Sequence, residues 1–370
     1  MTWGSFNADE AQAWAQMDAM LALGVNFWDT AELYPVAWDY GATTELWMGN
    51  WLSKRAAEGK VERTEQYIAT KCNPAGVGGH GKGHAYEADI LEASCRKSIE
   101  RMQCEYIDLY QLHWPTRDTP LFGCASYKRG TGPHRAPKAF DEGGADVFER
   151  QVKAVGRLLE LGLIKHWGLS NENAYGVTMF CMTCDRLGVA RPVSLQNDFS
   201  LTNRLYEGDT LEACHRFGVV GLPYGCLAGG VLTDKYNNPE AFAAADAERS
   251  DPSQWRMNRA PDFQPRYAYP LGAEAGRRYA KLAREWGITP LQLALAWARD
   301  RWYNASIITG TTSVTQVREC VAALCLEPLP EELNDAVDAI HEELRNPSCF
   351  MQRKDVVEKL APASAISANL

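Results

Sequence analysis

Short apolar runs alternate with longer amphipathic stretches along this chain. Val25-Asn26-Phe27-Trp28 reads as a strand after a helix expected over residues 8–23. Gly41 to Ala57 reads as a helix and Gln66 to Thr70 as a strand. Ile90, Leu91, Ser94, Cys95, Ile99 and Met102 then recur near helical spacing, ahead of a strand from Tyr106 to Tyr110 and a helix from Val147 to Leu161. Further strands are expected at Ile164 to Leu169, Val193 to Gln196, Val219 to Leu222 and Ala305 to Ile308. Thr289-Pro290 opens a helix with proline at an allowed first-turn position.

Strands that alternate with helices imply parallel βαβ units, because parallel strands need a crossover between them. The rhythm predicts a (β/α)8 TIM barrel whose first strand is short or missing, since only Met1 to Trp3 precede the first helix. Either the start is truncated or another segment closes the barrel. Two long loops, about Thr116 to Gly144 and Asn237 to Pro270, follow strands on the C-terminal face, where such barrels carry their chemistry. No linker interrupts the pattern, so residues 1–345 are expected as one barrel domain and 346–370 as a weakly ordered tail.

Composition narrows the function. A formal net charge of −9 opposes nucleic acid and anionic lipid, while leaving room for a local phosphate site. No apolar run reaches membrane-span length, and no signal peptide opens the chain. Eleven scattered cysteines, an odd number, fit reduced thiols and a cytoplasmic location, although an organelle-targeting segment could precede this start. The oligomeric state is left open.

Four polar residues stand at or just beyond expected strand ends: Asp29, Tyr34, Lys71 and His113. Each alone has an ordinary role: Asp caps a turn, Lys is solvated, Tyr packs, and His bonds to backbone. On successive strand ends of a barrel they share one rim and can converge. A tyrosine is a poor acid at neutral pH until a neighbouring ammonium lowers its pKa, and a carboxylate would hold that ammonium charged. A neutral histidine can donate to an oxygen as charge builds there. Together they make a proton donor with an oxyanion site, as carbonyl reduction needs, with hydride supplied by a cofactor.

Gly24 to Tyr34, Tyr106 to Pro115, Ile164 to Glu172 and Ile307 to Thr312 resemble motifs of the aldo-keto reductase family, with Glu-Leu-Tyr-Pro-Val and Gly-Asn-Trp-Leu nearest its Tas-type branch. The resemblance implies Asp29, Tyr34, Lys71 and His113 as a catalytic tetrad and NADPH bound without a Rossmann domain. It implies Ser170, Asn171 and Gln196 at the carboxamide, with Tyr224 stacked on the nicotinamide. Leu227, Gly229 and Lys235 would line the pyrophosphate, and Gly310, Thr312, Gln316 and Glu319 the adenosine phosphate. Trp3 and Trp114 would wall a pocket for a small-molecule carbonyl substrate. Lys235, Arg266 and Arg318 are candidates to meet a 2′-phosphate. Helix capping is a competing role for Ser170, Asn171 and Thr312. Gly225 and Cys320 replace the family's usual Ser and Asn, so weaker cofactor binding is expected, with Gly225→Ser or Cys320→Asn improving it. The resemblance also admits an alternative, an NADPH-sensing regulatory subunit of a larger complex with slow or no turnover.

Other signals carry less. Cys181-Met-Thr-Cys184 is one CxxC pair inside an expected helix, too few ligands for zinc. His80 and His84 lie in a Gly-rich loop better read as surface than as metal site. No metal is expected.

Overall fold

The computed structural model describes residues 1, 3–4, 9–35, 43–73, 86–117, 119–127, 144–244, 251–259 and 264–349. Six parallel strands form one sheet in chain order: β1 Phe27–Asp29, β2 Tyr67–Cys72, β3 Ile107–Leu112, β4 Ile164–Ser170, β5 Ser194–Gln196 and β6 Val220–Gly221. Register runs Asp29 to Ala69, Lys71 to Gln111, Gln111 to Gly168 and Ser170 to Gln196. With a helix behind nearly every strand, this is the (β/α)8 barrel architecture.

The intervening helices begin and end where side chains can satisfy their free backbone groups. Asp9 accepts from Gln12 N to start Glu10–Ala22, and Asn173 accepts from Gly176 N to start Ala174–Leu187. Thr289 and Gln292 form a reciprocal capping box ahead of Pro290–Arg299. Gly188 ends Ala174–Leu187 with φ 68°, a left-handed turn that glycine takes without strain.

The main core lies between sheet and helices and includes the fully buried Trp51, Trp167 and Trp297, large apolar side chains that dominate its burial. A second cluster sits inside the barrel: Ala69, Leu109 and Leu222 meet, with Phe27 and Ile308 against them. Strand residues therefore alternate between helix-facing and barrel-facing positions, as the pleat requires.

The seventh expected strand, Ala305 to Ile308, departs from expectation. It runs beside β6, with Ala305 N donating to Gly221 O (2.8 Å), Ile308 N to Pro223 O (2.9 Å) and a single parallel bridge from Gly221 to Asn304. No regular ladder forms, and the cause is local. Gly221 N donates to Tyr303 O on this side, while Leu222 N turns to Leu195 O on the other. The next donor toward the seventh segment belongs to Pro223, which has no N–H.

No strand of two or more residues precedes Glu10–Ala22 among the described residues. The second long loop contains short helices, Pro239–Ala244 and Arg256–Arg259, where an irregular segment was expected. At the far end the chain stays packed beyond residue 345. Asn346 Oδ1 accepts from Arg204 N (2.6 Å), and Ser348 N donates to Thr202 O (3.1 Å). The expected tail from 350 onward lies outside the described residues, as do His80 and His84.

Candidate active site

The C-terminal ends of the strands open into a cavity of about 1040 Å³. Asp29 closes β1 and Lys71 lies near the end of β2, so parallel register brings them together beneath this cavity. Lys71 is fully buried, and its Nζ donates to Asp29 Oδ2 (2.6 Å) and Thr30 O (2.7 Å). Burial alone would push the Lys71 pKa down, but the Asp29 carboxylate and the Tyr34 phenol outweigh it, and the net direction is up. The ammonium sits 5.2 Å from the centre of the Tyr34 ring. Burial raises the Tyr34 pKa, and the Lys71 charge opposes that rise without cancelling it.

His113 follows β3, and its ring meets Tyr34 edge-on with centroids 5.6 Å apart. Asp29, Tyr34 and His113 line the cavity, with Lys71 directly below. The four residues picked from strand ends thus converge on one spot.

Ser170, Asn171, Gln196 and Tyr224 form the next stretch of wall. Asn171 has φ 55°, a left-handed conformation that asparagine tolerates. Its Oδ1 accepts from Tyr224 Oη (2.6 Å) and its Nδ2 donates to His113 O (2.9 Å). Ser170 Oγ donates to Gln196 O (2.9 Å). These bonds tie the ends of β3, β4 and β5 together. The wall also carries Leu227, Gly229 and Lys235, and Gly310, Thr312, Gln316 and Glu319. Gln316 Oε1 accepts from Thr312 N (3.0 Å), and Ser313 caps Val314–Leu324, so capping and cavity lining occur together here.

Trp114 lines the cavity and packs with Leu33 and Leu121 in an apolar cluster against which Tyr34 and Phe122 lie. Leu121, Phe122 and Cys124 come from the first long loop. Trp3 is placed elsewhere. It packs against the main core, its Nε1 donates to Gln16 Oε1 (3.4 Å), and it is not among the cavity-lining residues.

The second long loop reaches over the cavity with Arg256, Arg259, Gln264 and Arg266. Arg266 is 2% exposed, and its Nε donates to Asp198 Oδ2 (2.8 Å), while Tyr267 Oη donates to Asp198 Oδ1 (3.0 Å). Its guanidinium is already engaged by a carboxylate, unlike the role foreseen for it at a 2′-phosphate. Arg318 is exposed and off the wall. Gly225, where a serine was expected, has φ 74°, and a Cβ there would stand 2.5 Å from both Asp198 Oδ1 and Tyr267 Oη. The buried network occupies the space a serine side chain would need, so Gly225→Ser would have to displace Asp198 or Tyr267, which argues against the expectation that it improves binding. Cys320 is buried and lines the cavity.

Sequence reasoning missed this Asp198–Arg266–Tyr267 network, the apolar loop residues 121 and 122, and Gln111. Only Gln111 left a signal: an amide that shares the barrel-facing side of its strand with Leu109 must find buried partners. Cys181 and Cys184 lie within Ala174–Leu187, and burial pushes both thiols up to about 12, far from the reactive range. The described residues hold no cluster of three or more metal-ligating side chains, and none of their helices is long and apolar enough to cross a membrane.

Comparison with known proteins gives a consistent answer. The profile of the Aldo/keto reductase family matches residues 1–342. Protein tas of Escherichia coli (strain K12) is 32% identical over 353 residues, 94% of each chain. A probable voltage-gated potassium channel subunit beta of Oryza sativa subsp. japonica is 25% identical over 342 residues, 91% of this chain and 90% of that protein. Among solved structures, a glycerol dehydrogenase from Gluconobacter oxydans superposes with a TM-score of 0.62 at 22% identity, covering 92% of this chain and 88% of that one.

Proposed function

This chain belongs to the aldo/keto reductase family, and on that premise we propose that it reduces an aldehyde or ketone to an alcohol, with NADPH as hydride source and Tyr34 as proton donor. The observation that carries the reading is the buried Asp29–Lys71 pair, 2.6 Å apart, with its ammonium against the Tyr34 ring at the base of the cavity.

The make-up of the wall supports binding of an extended dinucleotide. Polar groups (Ser170, Asn171, Gln196) line the same cavity as Tyr34, and Lys235, Arg256 and Arg259 on its wall would supply positive charge for phosphates. The same basic residues favour NADPH over NADH. When bound, the cofactor supplies the hydride that no side chain can.

The rest of the chemistry belongs to the chain. His113 donates to the carbonyl oxygen and orients it as negative charge develops. The Tyr34 hydroxyl, held protonated by burial, gives its proton to that oxygen, and Lys71 stabilises the phenolate left behind. Asp29 keeps Lys71 charged and in place. Trp114, Leu121 and Phe122 exclude water beside the reacting carbonyl and favour substrates with an apolar substituent.

The test is Tyr34→Phe, assayed on a panel of carbonyl compounds and titrated with NADPH and NADH by tryptophan quenching. Turnover should fall about 10²–10⁴-fold, the usual contribution of a general acid, with NADPH affinity retained and exceeding that for NADH. Undiminished turnover would sink the assignment. The potassium-channel likeness supports a second reading, a cofactor-sensing regulatory subunit. Stable co-purification with a membrane protein and negligible turnover in the unmutated chain would favour it.

A further inference from the structure

Gln111 lies beneath the cavity, fully buried on β3, and none of the roles above uses it. Its Nε2 donates to Asp29 Oδ1 (3.1 Å). Gln196 Nε2 donates to the same oxygen (2.8 Å) and to Gln111 Oε1 (3.1 Å). Side-chain amides are commonly ambiguous between two orientations. Here chemistry removes the ambiguity, because a carboxylate only accepts, so both amides must turn their NH2 groups to Asp29. Gln111 Oε1 then receives the second N–H of Gln196. Both amide hydrogens of Gln196 are used, and its Oε1, the one group left for the cavity, makes no hydrogen bond among the described residues.

We propose that Gln111 is a positioning residue that locks Gln196 with its carbonyl oxygen toward the cavity, so that the site selects a ligand presenting an N–H donor there. This rests on the nicotinamide reading, in which that donor is the carboxamide NH2 of the cofactor. Removing Gln111 Oε1 frees one Gln196 N–H to turn outward and meet an acceptor. The selection for a donor then disappears, while Asp29 keeps Lys71 and Gln196 as partners.

The probes are NADPH and its reduced 3-acetylpyridine analogue, which carries a methyl ketone in place of the carboxamide and so has no N–H. Both are titrated by tryptophan quenching against the unmutated chain, Gln111→Leu and Gln111→Met. The methionine variant keeps the side-chain length with no donor and only a weak thioether acceptor. The unmutated chain should bind the acetyl analogue about tenfold more weakly, the penalty for leaving one acceptor unpaired. In either variant the ratio should fall to within about twofold. A purely structural role for Gln111 would weaken both ligands equally and leave the ratio unchanged, and that result overturns the proposal. Equal affinities in the unmutated chain overturn it too, whether or not the variants fold. Absence of binding by both ligands strikes the nicotinamide reading itself, and the inference falls with it.

Discussion

Gly225→Ala places a methyl group where the structure has no room. The residue has φ 74°, and its Cβ would lie 2.5 Å from Asp198 Oδ1 and 2.5 Å from Tyr267 Oη. A left-handed conformation costs a non-glycine residue about 1–2 kcal/mol. Overpacking a tight interior adds about 1–3 kcal/mol, here by pushing Asp198 off Arg266 and Tyr267. The expected loss is therefore about 2–5 kcal/mol of unfolding free energy, read from urea titration by tryptophan fluorescence. Gly225→Ser meets the same obstruction, so it should weaken NADPH binding. A double-mutant cycle isolates the cause: in an Asp198→Ala background the loss should shrink by about 1 kcal/mol or more, since half the obstruction is gone. A loss below about 0.5 kcal/mol in the single variant would refute the reasoning, because that is the scale of an unconstrained surface change.

The remaining predictions concern chemistry and affinity. Burial raises the Tyr34 pKa from its ordinary value, so the donating form persists through neutral pH and reduction should hold level on this limb to about pH 9, while the reverse oxidation, which needs the phenolate, rises with pH. Lys71→Met removes the charge that lowers this pKa and should move both limbs further alkaline in kcat–pH profiles; a fall in reduction centred below about pH 9 in the unmutated chain would contradict the assignment. Cys320→Asn puts a donor and an acceptor on the cavity wall and should tighten NADPH binding about two- to tenfold by fluorescence titration, the worth of one net hydrogen bond; unchanged affinity would show that this wall position does not meet the cofactor.

Much of the architecture could be read from periodicity, since strand and helix leave different apolar spacings. β4 is expected at Ile164 to Leu169 and found at Ile164–Ser170. Asp29, Tyr34, Lys71 and His113 could be picked together because parallel strands of one register carry their C-terminal ends to a common rim. What the chain hid was long-range. Pro223 interrupts the edge of a strand that lies far away in sequence, so Ala305 to Ile308 reads as a normal apolar run. Arg266 reads as a cation free for a phosphate until Asp198, 68 residues earlier, is found against it. Trp3 reads as a pocket aromatic, and only packing reveals that it turns to Gln16 instead.

The consecutive strand order bears on how the molecule is made. Among the described residues every ladder joins a strand to its immediate successor, so each closes a loop of only a few tens of residues, and the sheet can lengthen one strand at a time as the chain emerges from the ribosome. Asp29, Lys71 and His113 belong to the portion synthesised first, whereas Gln196 and Tyr224 arrive later. Until β5 is laid down, the Asp29–Lys71 pair lacks the Gln196 amide, and the pair is then expected to stay open to water. Nascent chains halted after β4 should therefore show β1–β4 protected from hydrogen exchange while the Lys71 amine still reacts with water-soluble acylating reagents.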